Sequence, residues 1–399
     1  MMLLQHERRL VMKLLKISAE GLMLFKGKVE IDFFAEQRVM SNNCDMLSNV
    51  FDRIYTNNII SVVGINASGK TSLLKLISFS LELINGQSLN NIINRDVLSE
   101  SKKVNLEITF FDEEHGVCKL QSEIVSAQNN NLEQRLVFSN EQIWAKKISK
   151  VKSKKDIVAF GESDLFKERD DQAEFLQDDT SIVISISKKQ KIFVRDLIRY
   201  TNTNLLRLIG DFPHQLIAFL DPRIEYIRYD EKRSEAKLKF YDREEIPLSS
   251  PQECERYLSS GTVKGLNVFI NAMMVFLEGG YLLIDELENH FNREIVATLI
   301  RFFANPSVNK KEATLIFSTH YSELLDEFER SDDIYIVRNK GGIAAQKLCD
   351  VLKRNDIKKS EAFKSGYLEG TVPLYKSYMD LKEAIINATR IVETNDDGH

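Results

Sequence analysis

The stretch that decides the fold is IISVVGINASGKT, residues 59–71. Its first five residues form a continuous apolar run, which is typical of a parallel strand buried on both faces. Its last eight residues fit the pattern G-x-x-x-x-G-K-[ST], and residues 71–84 continue with leucine and isoleucine at helical spacing. A buried strand, a glycine-rich turn and a helix in this order predict a phosphate-binding loop.

The residue types in this loop indicate how it would work. Gly64 and Gly69 let the backbone curl so that N–H groups point at phosphate oxygens, and the helix start adds its positive dipole end. We expect Lys70 to reach the β and γ phosphates of ATP and the Thr71 hydroxyl to bind Mg²⁺. The residues predicted to bind the nucleotide here are Gly64, Asn66, Ala67, Ser68, Gly69, Lys70 and Thr71.

A second apolar run, residues 281–284, ends in two carboxylates, Asp285 and Glu286. In phosphate-loop ATPases a carboxylate at this strand end holds the water shell of Mg²⁺, and Asp285 fits that role. Glu286 follows where a carboxylate can act as general base on the attacking water. A solvated acidic pair is the ordinary alternative, and the phosphate loop upstream favours the catalytic interpretation.

A third apolar strand ends in Ser318-Thr319-His320. Strand ends at one edge of an open α/β sheet converge on the ligand crevice, so His320 can hydrogen-bond a γ phosphate or the attacking water. The alternative is an ordinary surface histidine. We interpret the remaining histidines as structural or exposed: His6, His115, His214, His290 and His399.

Composition limits the class of protein. The chain has 399 residues, a net charge of −5 and 43% hydrophobic residues, which fits a soluble protein of two or three domains and excludes collagen-like, mucin-like and disordered classes. Its four scattered cysteines predict reduced thiols in a cytoplasmic protein and no zinc site. The first ten residues are too charged for a secretory signal, and Asn267, Asn271 and Glu278 interrupt the longest apolar stretch, so we expect no membrane span.

Periodicity predicts the remaining elements. Strand-like segments at 104–111, 118–124 and 132–138 indicate an antiparallel meander, and 223–229 with 236–241 a hairpin. Residues 145–179 are strongly charged, and helical spacing returns over 192–208. We therefore predict an α/β P-loop NTPase fold with a central, mostly parallel sheet, an antiparallel β subdomain and a mainly helical insertion.

The segment LSSGT, residues 258–262, precedes a predicted amphipathic helix. The apolar face of this helix is predicted to consist of Leu266, Phe269, Ile270, Met273, Met274 and Leu277. By itself the segment reads as a helix N-cap. In combination with the phosphate loop, the acidic pair and STH, in that order, it resembles the LSGGQ signature of ABC-type ATPases and the heads of the RecF, SMC and OLD families.

The details resemble the OLD-like AAA_15/AAA_21 group: LSSGT followed by Lys264, then IDELENHF at 284–291, IFSTH at 316–320, and GYLEG at 366–370 with Pro373. Many members of that group belong to bacterial antiphage and abortive-infection systems of AbiL, PARIS, retron or Septu type. The resemblance implies that residues 1–144 and 216–399 form two parts of one ATPase head and that residues 145–215 form an insertion between them.

The resemblance also implies roles for residues. The segment Ser259, Ser260 and Gly261 should contact the γ phosphate bound by an opposite protomer, with Lys70, Glu286 and His320 as catalytic residues. Two chains would meet head to tail around ATP, as a homodimer or a higher oligomer, with Asn289 and His290 in the loop that crosses the interface. The group's LHP is replaced here by FNR at 291–293, and Ser260 and Thr262 replace a glycine and a glutamine of the signature.

The expected function is an ATPase that acts as a sensor or switch for a separate effector in antiphage defence. About 80 residues follow His320 and show no Toprim, HEPN or HNH signature, so a nuclease-like toxic activity should come from a partner protein. We expect no membrane partner.

The alternative function is a DNA-repair clamp of RecF or SMC type that binds nucleic acid through the lysines of 146–155. A solvated charge run is the more ordinary interpretation of those lysines. A transporter ATPase subunit is disfavoured by the atypical signature. Gln142, near Trp144, is the candidate for the glutamine that senses Mg²⁺ in this superfamily.

Overall fold

The structure is a computed structural model that describes residues 12–39, 46–128, 134–170, 176–188, 190–200, 212–230, 235–248, 253, 256–352, 358–365, 368 and 375–396. The strands are β1 Met12–Glu20, β2 Val29–Asp32, β3 Leu47–Phe51, β4 Ile54–Asn57, β5 Ile59–Val63, β6 Lys103–Asp112, β7 Gly116–Gln128, β8 Gln134–Lys146, β9 Leu165–Glu168, β10 Val194–Asp196, β11 Ile224–Asp230, β12 Glu235–Phe240, β13 Ile246–Leu248, β14 Tyr281–Ile284, β15 Thr314–Thr319, β16 Ile334–Asn339 and β17 Ile343–Lys347. The helices are α1 Lys70–Ile84, α2 Lys154–Val158, α3 Ile184–Ser187, α4 His214–Leu220, α5 Ser260–Glu278, α6 Arg293–Ala304, α7 Leu348–Val351, α8 Lys359–Lys364 and α9 Tyr375–Asp396.

The central sheet has the order β10-β14-β15-β5-β16-β17 and is parallel except for β17 at its edge. Parallel strands need crossover connections, which here include the helices α1 and α6. The predicted α/β fold with a mostly parallel sheet is therefore confirmed.

The three apolar strands found in the sequence lie side by side in the middle of this sheet and are buried on both faces. Their side chains divide between two hydrophobic cores. One core also receives α1, and the sheet residues that face it are Ile60, Val62, Tyr281, Leu283 and Ile316. The other core receives α5 and α6, and the sheet residues that face it are Ile59, Val63, Leu282, Ile284, Leu315 and Phe317. Each fully buried leucine or isoleucine stabilises the fold by about 1.5–3 kcal/mol relative to exposure, so the strand ends are held firmly.

A second, antiparallel sheet has the order β2-β1-β6-β7-β8-β9 and contains the predicted meander. Buried tyrosine hydroxyls join the two sheets. The Tyr281 hydroxyl accepts a hydrogen bond from the Leu14 N–H at 2.9 Å, and the Tyr335 hydroxyl donates to the Asp32 carbonyl at 2.8 Å. The antiparallel sheet is thereby fixed against the strands that carry the site. The predicted hairpin is also confirmed as β11 and β12.

Residues 145–215 differ from the prediction of a mainly helical insertion. Their described part contains only short helices together with strands β9 and β10. The helix predicted over 192–208 is wrong at 194–196, because these residues pair in parallel with β14 and extend the central sheet; residues 201–211 lie outside the described part. The boundary drawn after residue 144 falls inside β8, so the division into domains remains a prediction.

A buried ion pair attaches part of this region to the antiparallel sheet. The Glu141 side chain is fully buried and accepts from Arg169 Nη1 at 3.0 Å and from the Ser181 hydroxyl at 2.7 Å. A buried carboxylate of this kind is tolerated because its oxygens are hydrogen-bonded. The segment that follows β9 therefore packs as part of the head.

Helix α5 forms as predicted, and Gly279, in a left-handed conformation with φ 77°, ends it. Its buried face differs from the predicted one, since Met273 is 41% exposed and Leu277 is 67% exposed, whereas Val275 is buried. The helix is long and apolar enough by length and composition to cross a membrane, but half of it is buried inside the protein.

A buried charged cluster lies beside the start of β16. Arg330 and Asp332 form an ion pair with Nε to Oδ1 at 2.8 Å, and Lys359 Nζ donates to the Arg330 carbonyl at 2.5 Å. Asp333 is fully enclosed, and burial raises its pKa to about 7, although the charge of Lys359 opposes the shift.

This shift predicts that stability depends on pH. Because the pKa of Asp333 is higher in the folded chain than its ordinary 3.8, the contribution of Asp333 to stability is fully present below about pH 4. It is lost as the pH rises through about 7. We expect the denaturation midpoint of wild type, measured by urea titration, to fall relative to that of Asp333→Asn as the pH rises from about 4 to about 7. Parallel pH profiles for the two proteins would contradict this prediction.

Candidate functional site

The phosphate loop connects β5 to α1 in the predicted order. Helix α1 begins at Lys70 directly after Gly69, which has φ 100°, and Ala67 also lies in the left-handed region with φ 60°. A Cβ on Gly64 would lie 2.4 Å from Ser68 Oγ and 2.5 Å from a backbone oxygen, so glycine is required there. The loop is thus tightly curled, which is the shape that directs backbone N–H groups inward.

Lys70 is buried and brings the phosphate loop to the end of β15. Its Nζ donates to the carbonyls of Gly64 and Ile65 at 3.0 and 3.1 Å and lies 3.2 Å from His320 Nδ1. Burial lowers the pKa of Lys70, opposed by the charge of Asp285 and of further carboxylates nearby. Lys70 and His320, both predicted to act on the γ phosphate, therefore lie together.

The two predicted metal ligands are direct neighbours. Thr71 Oγ1 donates to Asp285 Oδ2 at 2.6 Å, and Ser318 Oγ donates to Asp285 Oδ1. Hydroxyl and carboxylate oxygens are the hard ligands that Mg²⁺ prefers, so this donor set fits the ion. Ser68 Oγ, buried and without a hydrogen-bond partner among the described residues, leaves a further polar atom in the loop for a phosphate.

Glu286 is held by both of its carboxylate oxygens. One lies 3.4 Å from His320 Nε2, and the other accepts from Asn289 Nδ2 at 2.5 Å. Burial alone would raise the pKa of Glu286, but these two hydrogen bonds and the charge of Lys70 outweigh it and hold the pKa below its ordinary value. The carboxylate is therefore ionised at neutral pH and can accept a proton.

The signature segment lies against the loop that follows the acidic pair. Ser259 caps α5, since its Oγ accepts from the Thr262 N–H at 3.1 Å, and Ser260 Oγ lies 3.2 Å from His290 Nδ1. A Cβ on Gly261 would lie 2.6 Å from the His290 carbonyl oxygen, which explains the glycine. Among the described contacts of this chain, no hydrogen bond joins the signature segment to the phosphate loop.

The FNR sequence that departs from the family pattern has a local role. Asn292 is the N-cap of α6, with its Oδ1 accepting from the Ile295 N–H at 2.9 Å. Asparagine is among the best N-cap residues, so Asn292 stabilises the first turn of α6.

Three residues of the site were not assigned a role from the sequence. Ser318 donates to Asp285 and accepts from the Glu286 N–H at 2.8 Å, so it joins both carboxylate residues. Glu288 is buried, and its Oε1 accepts from the His320 N–H. Lys264 donates to the Glu286 carbonyl. The sequence signal that could have identified Glu288 is its place as a third acidic residue, two positions after Glu286.

Other predicted residues are not brought to the site. Gln142 donates to Glu168 in the antiparallel sheet, and its proposed role as the Mg²⁺ sensor has no support in the described contacts. Of segment 366–370, only Leu368 lies in the described part of the chain, where it is buried; Pro373 is outside it.

The lysines of 146–155 do not form a uniform free patch. Lys146 is buried and donates to the Asp156 carbonyl at 2.7 Å, Lys150 pairs with Asp164 at 2.9 Å, and Lys154 donates to a backbone carbonyl. Three of the six lysines therefore have partners within the chain and the other three are exposed, so nucleic-acid binding by this segment stays a prediction.

Comparison with known proteins agrees with this geometry. The family model AAA_21, described as "AAA domain, putative AbiEii toxin, Type IV TA system", matches residues 59–326, about two thirds of the chain, which include the phosphate loop, the signature segment, the acidic pair and His320. No curated protein matches the sequence.

Similar solved structures include the SMC head domain from Thermotoga maritima, with 13% identity, a TM-score of 0.39 and coverage of 84% of this chain and 98% of that one. A structure described as the recombination mediator protein RecF with ATP has 8% identity, a TM-score of 0.38 and coverage of 86% and 99%.

Proposed function

The chain belongs to the AAA_21 family, and from that premise we propose that it is an ABC-type ATPase that hydrolyses ATP as a head-to-tail homodimer. In this proposal, ATP binding closes the dimer and hydrolysis releases it. The cycle controls the activity of a separate effector protein, and the two proteins act together in bacterial antiphage defence.

The observation that carries the proposal is the convergence at one sheet edge. The strand ends of β5, β14 and β15 bring Lys70, Thr71, Asp285, Glu286 and His320 into a single hydrogen-bonded set. The set contains a cation for phosphate, a pair of hard ligands for Mg²⁺ and an ionised carboxylate. Each is a separate requirement of phosphoryl transfer to water.

The residues divide the chemistry between them. Bound ATP with Mg²⁺ would supply the γ phosphoryl group that water attacks. Glu286 accepts the proton of that water, and His320 and Asn289 fix the direction of the carboxylate. Lys70 and the loop N–H groups stabilise negative charge on the phosphate oxygens, while Thr71 and Asp285 would hold the metal ion.

The dimer is supported by the separation of motifs within one chain. The signature segment contacts the 289–291 loop of its own chain, not its own phosphate loop. If Ser259 and Gly261 act on a γ phosphate, the phosphate must therefore be bound by another copy. An isologous pair of chains would complete two sites at once.

The switch role is supported by the toxin–antitoxin description of the family. An ATPase cycle that assembles and releases a dimer suits control of a partner protein better than metabolic turnover. We propose that the toxic activity belongs to a separate, nuclease-like protein.

The split site can be tested by mixing two inactive variants. Lys70→Ala should be inactive in its own site because it binds ATP about 10- to 100-fold more weakly and lacks the cation for phosphate, and Ser259→Arg should fail to complete the partner's site. A one-to-one mixture should regain roughly a quarter of the wild-type ATPase rate, because half of the random pairs contain one intact site of two.

Ser307→Arg, at an exposed serine, is the matched control and should keep the wild-type rate. A mixture that stays inactive, although Ser259→Arg still binds ATP, would contradict the split site. A wild-type chain that does not hydrolyse ATP with Mg²⁺ would contradict the ATPase itself.

A further inference from the structure

A buried lysine connects the signature helix to the loop of the general base. Lys264 lies in the second turn of α5 and is 5% exposed. Its Nζ donates to the main-chain carbonyl of Glu286 at 2.9 Å and lies 5.2 Å from the centre of the Phe291 ring. The roles proposed for the phosphate loop and the acidic pair do not by themselves require a lysine at this position.

The charges around Lys264 give a reason for its burial. Asp285, Glu286 and Glu288 place three carboxylates close together, and Glu288 Oε2 is buried without a hydrogen-bond partner among the described residues. Lys70 approaches these groups from the phosphate loop, and Lys264 approaches them from α5. Burial lowers the pKa of Lys264 to about 8, with Glu288 as the leading opposing charge. Carboxylates that lie close together inside a protein repel one another, so positive charges nearby are needed to stabilise them.

The backbone of Glu286 also needs support. It has φ 48°, a left-handed conformation that is unfavourable for a non-glycine residue. Three hydrogen bonds hold its backbone in place: the N–H donates to Ser318 Oγ, and the carbonyl accepts from Lys264 Nζ and from the Asn289 N–H at 3.0 Å. Removing Lys264 would leave this carbonyl with the local Asn289 N–H alone and remove its only bond to α5 among the described contacts.

We propose that Lys264 is a positioning residue, which holds the Glu286 backbone and balances the carboxylates so that the general base points at the attacking water. The inference rests on the proposed ATPase function. Lys264 itself contacts neither the nucleotide-binding loop nor the reacting atoms, so its loss should affect turnover and not ATP binding.

The test compares Lys264→Met with Lys264→Arg in the full chain, with a buried lysine elsewhere as the control. Lys13 is 6% exposed, has its pKa lowered by burial to about 8 and donates to the Glu312 carbonyl at 2.5 Å. Lys13→Met therefore removes the same kind of interaction away from the site.

We expect Lys264→Met to lower kcat by about tenfold or more, since small misplacements of a catalytic group have large effects on rate. The dissociation constant for ATP should change less than threefold. Lys264→Arg should recover much of the rate because a guanidinium can donate to the same carbonyl and keeps the charge. Lys13→Met should lower the melting temperature and leave kcat close to wild type.

A kcat of Lys264→Met within twofold of wild type would overturn the inference, as would equal losses in Lys13→Met. If Lys264→Met does not fold, Lys264→Gln, which removes the charge and keeps an N–H donor, tests the balance of charge, and a kcat within twofold of wild type would overturn that part of the inference. The wild-type rate separates the two claims: an inactive wild type refutes the proposed function, whereas an active wild type with an unaffected Lys264→Met refutes only the role of Lys264.

Discussion

Glu286→Gln is expected to lower the ATPase rate by about 10²- to 10⁴-fold, the usual contribution of a positioned general base. The glutamine keeps the shape of the side chain and one acceptor oxygen for the donors His320 and Asn289, but it cannot accept the proton of the attacking water. ATP binding should be retained, because the groups predicted to bind phosphate and Mg²⁺ are unchanged. Phosphate release in a single turnover, measured beside ATP affinity, separates the two effects.

Glu294→Gln is the matched control. Glu294 is exposed on α6 and pairs with Arg301 at 2.8 Å, so its replacement should leave the rate unchanged. A Glu286→Gln protein with more than a tenth of the wild-type rate would assign the general base to another residue.

Lys70→Ala is expected to lower ATP affinity by about 10- to 100-fold, since hydrogen bonds to charged groups contribute roughly 1.5–3 kcal/mol each. The loss follows from the position of Lys70, whose ammonium is held inside the curl of the loop by two of its own carbonyls. Fluorescent ATP titration measures the effect directly.

Lys75→Ala on the same helix is the control, because Lys75 forms an ion pair with Asp96 and is not among the predicted nucleotide-binding residues. It should bind ATP as wild type does. Equal affinity of the Lys70→Ala protein and wild type would place the nucleotide elsewhere.

The sequence predicted the parts of the site whose signal is local. The apolar run at 59–63 and the glycine spacing of 64–71 together specify a strand, a curl and a helix, because each depends on neighbouring residues only. The rule that parallel strand ends share one edge then predicted that Asp285 and His320 would meet the loop, as the structure has them.

The contacts missed from the sequence are those that depend on packing between distant segments. Lys264 lies 22 residues before Glu286, and nothing in its own neighbourhood indicates that it is buried against the acidic loop. Strand β10 was mistaken for part of a helix because three residues are too few to show whether the hydrophobic period is that of a strand or of a helix. Their conformation is decided by pairing with β14, which is distant in the sequence.

The exposed face of α5 was misjudged for a related reason. Both Met273 and Leu277 lie at helical spacing from Leu266, but the neighbours of α5 cover a different arc of the helix. Likewise, the lysines of 146–155 look like one charge run in the sequence, whereas the fold directs Lys146 inward and pairs Lys150 with Asp164.

The central claim, that ATP joins two chains around shared sites, is tested most directly by the molar mass of Glu286→Gln in solution. Light scattering of the purified protein should give the mass of one chain without nucleotide and twice that mass with ATP and Mg²⁺, because the variant binds ATP but cannot complete hydrolysis. Adding Ser259→Arg to the same chain should return it to the single mass. A Glu286→Gln protein that binds ATP and remains a monomer would contradict the account.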